Sequence, residues 1–144
     1  MNLYARLYQA IMENDPIQKC LLTDELFDDW QNQRLTRVND CPVESIDVPG
    51  RPVKPTLVNP RKVPKRSMIT ELGKKVLLHS FAHIEFNAIN LALDAAYRFR
   101  DMPDEFVTDW LQVAFEEVKH FKLLNDYLVE LGSFYGEFDA HNGL

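Results

Sequence analysis

Leu3, Leu7 and Ile11 recur at i, i+4 and i+8, with Tyr4 and Tyr8 beside them, a spacing that predicts a short amphipathic helix at the start of the chain. Asp15-Pro16 then restarts the helix, with Asp15 as a cap and Pro16 at the first helical position. Ile17, Cys20, Leu21, Leu26, Phe27 and Trp30 supply its apolar positions, so residues 1–40 read as short helices that cover something larger. From Cys41 to Arg66 the pattern is lost. Pro42, Pro49, Pro52, Pro55, Pro60 and Pro64 deny residues 41–69 a regular helix or a central strand, which leaves an extended strap. Residues 70–144 return to helical spacing over two long stretches, from about Thr70 to Phe99 and from about Pro103 to Leu131. Arg100-Asp101-Met102-Pro103 separates them, and Gly132 can end the second. Two long helices joined by a tight break form an antiparallel hairpin, the unit of a four-helix bundle. The expected fold is all-α.

The two long helices also carry acidic groups where apolar ones are expected. Projected at about 100° per residue, Leu78, Phe81, Ala82, Glu85, Ala88, Ile89, Ala92 and Ala96 fall in one stripe, with Glu85 in its middle. Trp110, Val113, Ala114, Glu117, Phe121, Leu124 and Leu128 form the stripe of the second helix, with His120 at its edge. An ionised carboxylate removed from water costs several kcal/mol unless a cation compensates it, and neither stripe contains a Lys or Arg. A bound metal ion supplies the missing charge. Carboxylate and imidazole donors suit iron or manganese, whereas a structural zinc site would call for thiolates.

Di-iron carboxylate bundles take one Glu from each of two helices and a Glu-x-x-His from each of the other two. Glu85 matches the lone Glu, and Glu117-Val118-Lys119-His120 matches the Glu-x-x-His. Plainer readings exist: a small helix rotation would carry Glu85 out of the stripe, and Glu116, four residues before His120, could form a surface pair with it. His79 and His83 have the spacing of a zinc-protease helix, but Ser80 stands where that motif needs its general base. His83 lies about 200° round from Glu85, on a stripe with His79, Phe86, Asn87 and Asn90, which suits a supporting or packing role better than a ligand. Glu116 is the other candidate for such support. His141, near the end of the chain, has no role that the pattern assigns.

Charge and cysteine usage narrow the setting. The 144 residues hold 22 acidic and 16 basic side chains, a net −6 that argues against nucleic-acid binding by a general positive field. One stretch runs against this balance: Arg51, Lys54, Arg61, Lys62, Lys65 and Arg66 follow one another in the strap with no acid among them. They either pair with the acidic bundle or contact a phosphate-bearing substrate, RNA included; Arg61, Lys62, Lys65 and Arg66 are the candidates. Cys20 and Cys41 make neither a CxxC pair nor a disulfide framework and suit reduced thiols in the cytoplasm. The opening MNLYARLYQAIMENDP lacks the pattern of a secretory signal. No uninterrupted apolar run approaches the roughly 20 residues that cross a bilayer, so no membrane partner is expected.

Three stretches, PGRPVKPTLVNPRKVPKRS (Pro49 to Ser67), LLHSFAHIEFNAINLALDAAYRF (Leu77 to Phe99) and WLQVAFEEVKHFKLLNDYLVELGSFYGEFDAHNGL (Trp110 to Leu144), are together similar to an uncharacterised ferritin-like family of bacteria and some eukaryotes, known as a domain of unknown function. The resemblance implies a ferritin-like di-metal fold, related in architecture to ferritins and to the di-iron hydroxylase that modifies tRNA. It implies Glu85 as the lone carboxylate of the first bundle helix, Glu117 as the bridging carboxylate and His120 as the terminal imidazole. Members of the family continue through two further bundle helices that bring the second Glu and the second Glu-x-x-His. The present chain is thus expected to be half a bundle, either truncated, the reading we favour, or completed by a second copy in a homodimer.

The expected function is that of a di-iron or di-manganese protein that reacts with oxygen or peroxide, acting as an oxidoreductase on a substrate the sequence does not name. Iron oxidation and storage is the alternative within the same chemistry. A metal-free helical interaction module is the alternative outside it.

Overall fold

The computed structural model describes residues 1–40, 42–62 and 70–142. Four helices dominate: α1 (Leu3–Met12), α2 (Pro16–Gln31), α3 (Glu71–Arg98) and α4 (Asp104–Glu130). Two short strands, β1 (Leu57–Val58) and β2 (Ala140–His141), and a 3-10 turn at Pro60–Lys62 complete the order. The protein is largely α-helical, as its periodicity predicts.

The helix ends follow local chemistry. The Asn2 side chain accepts from the Tyr4 amide at 3.1 Å, and Asp15 does the same for Gln18 at 3.1 Å with Pro16 behind it, so both caps fill an orphan donor. Thr70 Oγ1 accepts from the Gly73 amide at 2.9 Å, and Asp104 and Glu105 place negative charge at the start of α4. At the other end of α4, Gly132 takes a φ of 82° and the Ser133 amide reaches back to the Leu128 carbonyl at 2.8 Å, which closes the last turn.

The chain forms two compact units, Met1–Arg51 with Ala88–Val118, and Pro52–Asn87 with Lys119–Leu144. In the first, α1 buries Leu3, Leu7, Ala10 and Ile11, the face its spacing predicts. Phe27 of α2 stacks on Phe115 of α4 at 4.5 Å between centroids, and Trp30 Nε1 donates to Thr108 Oγ1 at 2.9 Å. α2 thus packs on the first half of α4. Arg37 donates to the Tyr4 hydroxyl, to Asp104 and to the Arg100 and Met102 carbonyls, and so clasps the α3–α4 connection.

The centre of this unit holds a fully buried cation. Lys19 Nζ donates to the Ile11 carbonyl at 2.8 Å, to the Gly50 carbonyl at 2.7 Å and to Asn90 Oδ1, and thereby ties α2 to α1, to the chain at Gly50 and to α3. Three acceptors match the three N–H bonds of an ammonium. Burial pushes its pKa down to about 7, partly opposed by the charges of Glu13 and Cys20. Gly50 makes the approach possible. Its amide donates to the Ile11 carbonyl at 2.8 Å, and a Cβ there would lie 2.3 Å from the carbonyl oxygens of both Met12 and Glu13.

In the second unit, β1 and β2 pair in parallel, Leu57 with Ala140 and Val58 with His141. The chain beyond α4 is therefore a strand partner of the strap. Gly136, at a φ of 113°, lets the tail pass the Lys54 carbonyl at a distance where a Cβ would have only 3.3 Å. α3 is long and apolar enough to cross a membrane by length and composition, but 56% of that window is buried inside the fold, as for a core helix.

Gly50→Ala should lower stability by about 1–3 kcal/mol, because backbone on both sides must move to admit the methyl group. Lys19→Met should cost a similar amount, about 1–3 kcal/mol, by leaving the Gly50 carbonyl and the Asn90 amide oxygen without this donor. Denaturant unfolding of each variant checks these values. Wild-type midpoints would show that the junction at Lys19 and Gly50 carries no energetic weight.

Candidate metal centre

The buried face of α3 is rotated from the predicted stripe. Ala82, Ile89, Ala92 and Ala96 are buried as expected, but so are His79, His83, Phe86, Asn90, Leu93 and Tyr97, while Phe81 is 42% exposed and Glu85 is at an intermediate level. On α4, Ala114, Phe121 and Leu128 are buried with Val107, Leu111 and Val118, whereas Trp110, Glu117 and Leu124 are half-buried and Val113 exposed. Each helix therefore has two apolar faces. One is fully buried, and the other is half-open and carries the acidic groups. Projection centred on the second face because it scores His and Asn as surface residues, although hydrogen bonds inside the fold make them core.

On the half-open face the three predicted ligands come together. Glu85 lies near the middle of α3, and His120 Nδ1 stands 3.7 Å from its Oε2, with side chains 24% and 53% exposed respectively. Glu117 precedes His120 by three residues on the same helix, so both project to one side. Glu85, Glu117 and His120 each offer one donor atom, and these atoms lie within 4.8 Å of one another. An ion about 2.1 Å from each donor holds two donors no more than about 4.2 Å apart. The 3.7 Å pair already meets that limit, and small side-chain rotations would bring in the third. Oxygen and imidazole donors without a thiolate fit iron or manganese.

Behind this face, α3 turns its histidines inward. His79 is buried, and its Nε2 accepts from the Gly136 amide at 2.9 Å, so that nitrogen carries no proton. Burial, with a smaller contribution from the charge of His83, drives its pKa down to about 4. His83 Nδ1 lies 2.9 Å from the Tyr135 hydroxyl and its Nε2 3.0 Å from the His141 carbonyl oxygen. Asn87 Nδ2 also approaches Nε2, at 3.1 Å, so three polar groups from α3 and the tail surround the ring. Asn87 Nδ2 donates to the His83 carbonyl at 3.0 Å. His83 thus ties the tail to α3.

The other predicted residues are placed as follows. Glu116 is exposed and accepts from Gln112 at 3.1 Å. Arg61 and Lys62 are exposed in the 3-10 turn; Lys65 and Arg66 lie outside the described residues, as does Cys41. Cys20 is buried in α2. His141 is the β2 residue whose carbonyl holds His83. Sequence reasoning missed Lys19 and Tyr135. Lys19 sits among the apolar positions of α2 and could have been noticed there. Tyr135 lies past the helix-ending Gly132, where periodicity has no reach.

Fold and site together define a largely helical protein with carboxylate and imidazole donors gathered from two long helices. The chain belongs to the family described as protein of unknown function DUF455, which it matches over residues 12–144. It is 48% identical over 145 aligned residues to an uncharacterized protein of Haemophilus influenzae. That alignment covers 94% of this chain and 50% of the relative, so the chain spans about half the relative's length. No solved structure matches the chain.

The neutral His79 makes the second unit acid-sensitive. Its folded-state pKa of about 4 lies below the roughly 6.5 of an unfolded histidine, so the unfolded chain binds more protons between those values. Stability should fall as pH drops from about 6.5 towards 4, and His79→Gln, which keeps an acceptor but does not titrate, should flatten that decline. Thermal unfolding across this range measures it. An equal slope in the variant would remove His79 as the cause.

Proposed function

We propose that the protein binds iron or manganese through Glu85, Glu117 and His120 and, once its site is complete, handles a pair of such ions in chemistry with oxygen or peroxide. The observation that carries the reading is the convergence of the three donors on a half-open helical face. Bound at that face, the ions would supply redox chemistry that side chains lack. The chain's own part is to hold donors. Glu85, Glu117 and His120 would hold the ions, and the partial exposure of Glu85 and His120 leaves room for an oxidant.

Three donors are half of what a pair of ions takes in a carboxylate bundle. The remainder would come from a second set of helices. In a protein as long as the Haemophilus relative, the other half of the chain has the length to supply them; for the 144 residues here, a second copy related by two-fold symmetry would bring the same three groups. The exposed Phe81, Val113 and Tyr127 favour such a cover, because they lie in helical register with the donors on α3 and α4 and would be shielded by it.

Elemental analysis of protein purified from iron- and manganese-supplemented culture tests the reading. Glu117→Ala should lose most of its bound metal, and Glu116→Ala, one position away on the same helix, should keep it. Equal occupancy in the two variants would defeat the assignment.

A further inference from the structure

The ring of Tyr135 occupies an unusual position. It lies in the tail beyond α4, with its centroid 5.6 Å from that of Phe86 on α3 and 5.1 Å from that of Phe121 on α4. Phe86 and Phe121 are themselves 5.9 Å apart, so the three rings form a closed triangle. Phe86 directly follows Glu85, and Phe121 directly follows His120. The triangle therefore stands at the same level of the two helices as the Glu85–His120 pair, on the buried side where the donors are on the half-open side.

Tyr135 is fixed from both helices. Its hydroxyl is bonded to His83 of α3 at 2.9 Å, and its amide donates to Asn125 Oδ1 of α4 at 3.0 Å. The adjoining Gly136 amide is held by His79. A ring anchored in this way resists being squeezed out, and close-packed aromatic groups transmit a change of volume to the backbones that carry them. We propose that Tyr135 is a positioning residue for the metal centre, a wedge whose ring sets the spacing of α3 and α4 where Glu85 and His120 face each other. The inference rests on the metal reading for its purpose, but the wedge itself is a statement about geometry.

Donor geometry has to be held within about 0.5 Å for a site to work, and residues that support metal ligands typically change affinity by 10–100-fold when replaced. Manganese(II) titration of the full chain should show about a tenfold or greater loss of affinity in Tyr135→Ala and a smaller loss in Tyr135→Leu. Tyr135→Phe, which keeps the ring and gives up only the hydroxyl, should bind nearly as the parent does. Leu7→Ala, in the core beneath α1, is the control for destabilisation alone and should leave affinity unchanged. In the metal-free protein, the ring resonances of His120 should shift in Tyr135→Ala and stay in place in Leu7→Ala. Parent-like affinity in Tyr135→Ala, or an equal loss in Leu7→Ala, overturns the wedge, and so does an unmoved His120 resonance. A parent chain that takes up no manganese or iron at all instead overturns the metal reading, and the His120 resonances still decide the wedge.

Discussion

Polar groups inside a protein must find partners, and α3 brings several of them into the interior. His79, His83 and Asn90 all lie on its buried face, and each would cost stability if left without a hydrogen bond. The surrounding chain brings a partner to each, although among the described residues Asn90 Nδ2 has none. Lys19 comes in from α2 to meet Asn90, and the tail comes back from α4 to meet the two histidines. Both encounters draw in further main chain, Gly50 in one case and the strap in the other. The irregular segments are ordered by these polar demands, since proline-rich sequence has no regular structure of its own to offer.

This division of labour leaves the other face of α3 and α4 half-open, with Glu85, Glu117 and His120 on it. Helix-to-helix contact is secured on the buried side by Phe86 and Phe121. The donors on the open side are therefore spared a packing role, and side chains free of that duty can be charged. The same openness lets one Glu-x-x-His turn and one lone Glu approach each other, with His120 Nδ1 3.7 Å from Glu85 Oε2.

The helices were legible because their signals are local. Asn2, Asp15-Pro16 and Gly132 stand where caps belong, and the expected ends of the long helices fall within a residue or two of those observed. The approach of Glu85, Glu117 and His120 was also legible, since three residues on two helices are related by simple spacing. The rotation of the buried face was not. Whether a histidine is core or surface depends on Gly136 and Tyr135, more than 50 positions away, and no periodicity encodes that. The strand at Ala140–His141 escaped for the same reason, being defined by its partner at Leu57–Val58 and by nothing in its own composition.

That strand pair sets an order of events during synthesis. Leu57 and Val58 leave the ribosome long before Ala140 and His141, and in the interval both long helices are made. Until then the strap has no edge to pair with and His79 has no amide to accept from. Contacts of such wide sequence separation are slow to form, because loop closure precedes any reward. A nascent chain would thus hold its N-terminal helices early and lock its second unit last, with two imidazoles waiting exposed for residues still to be translated.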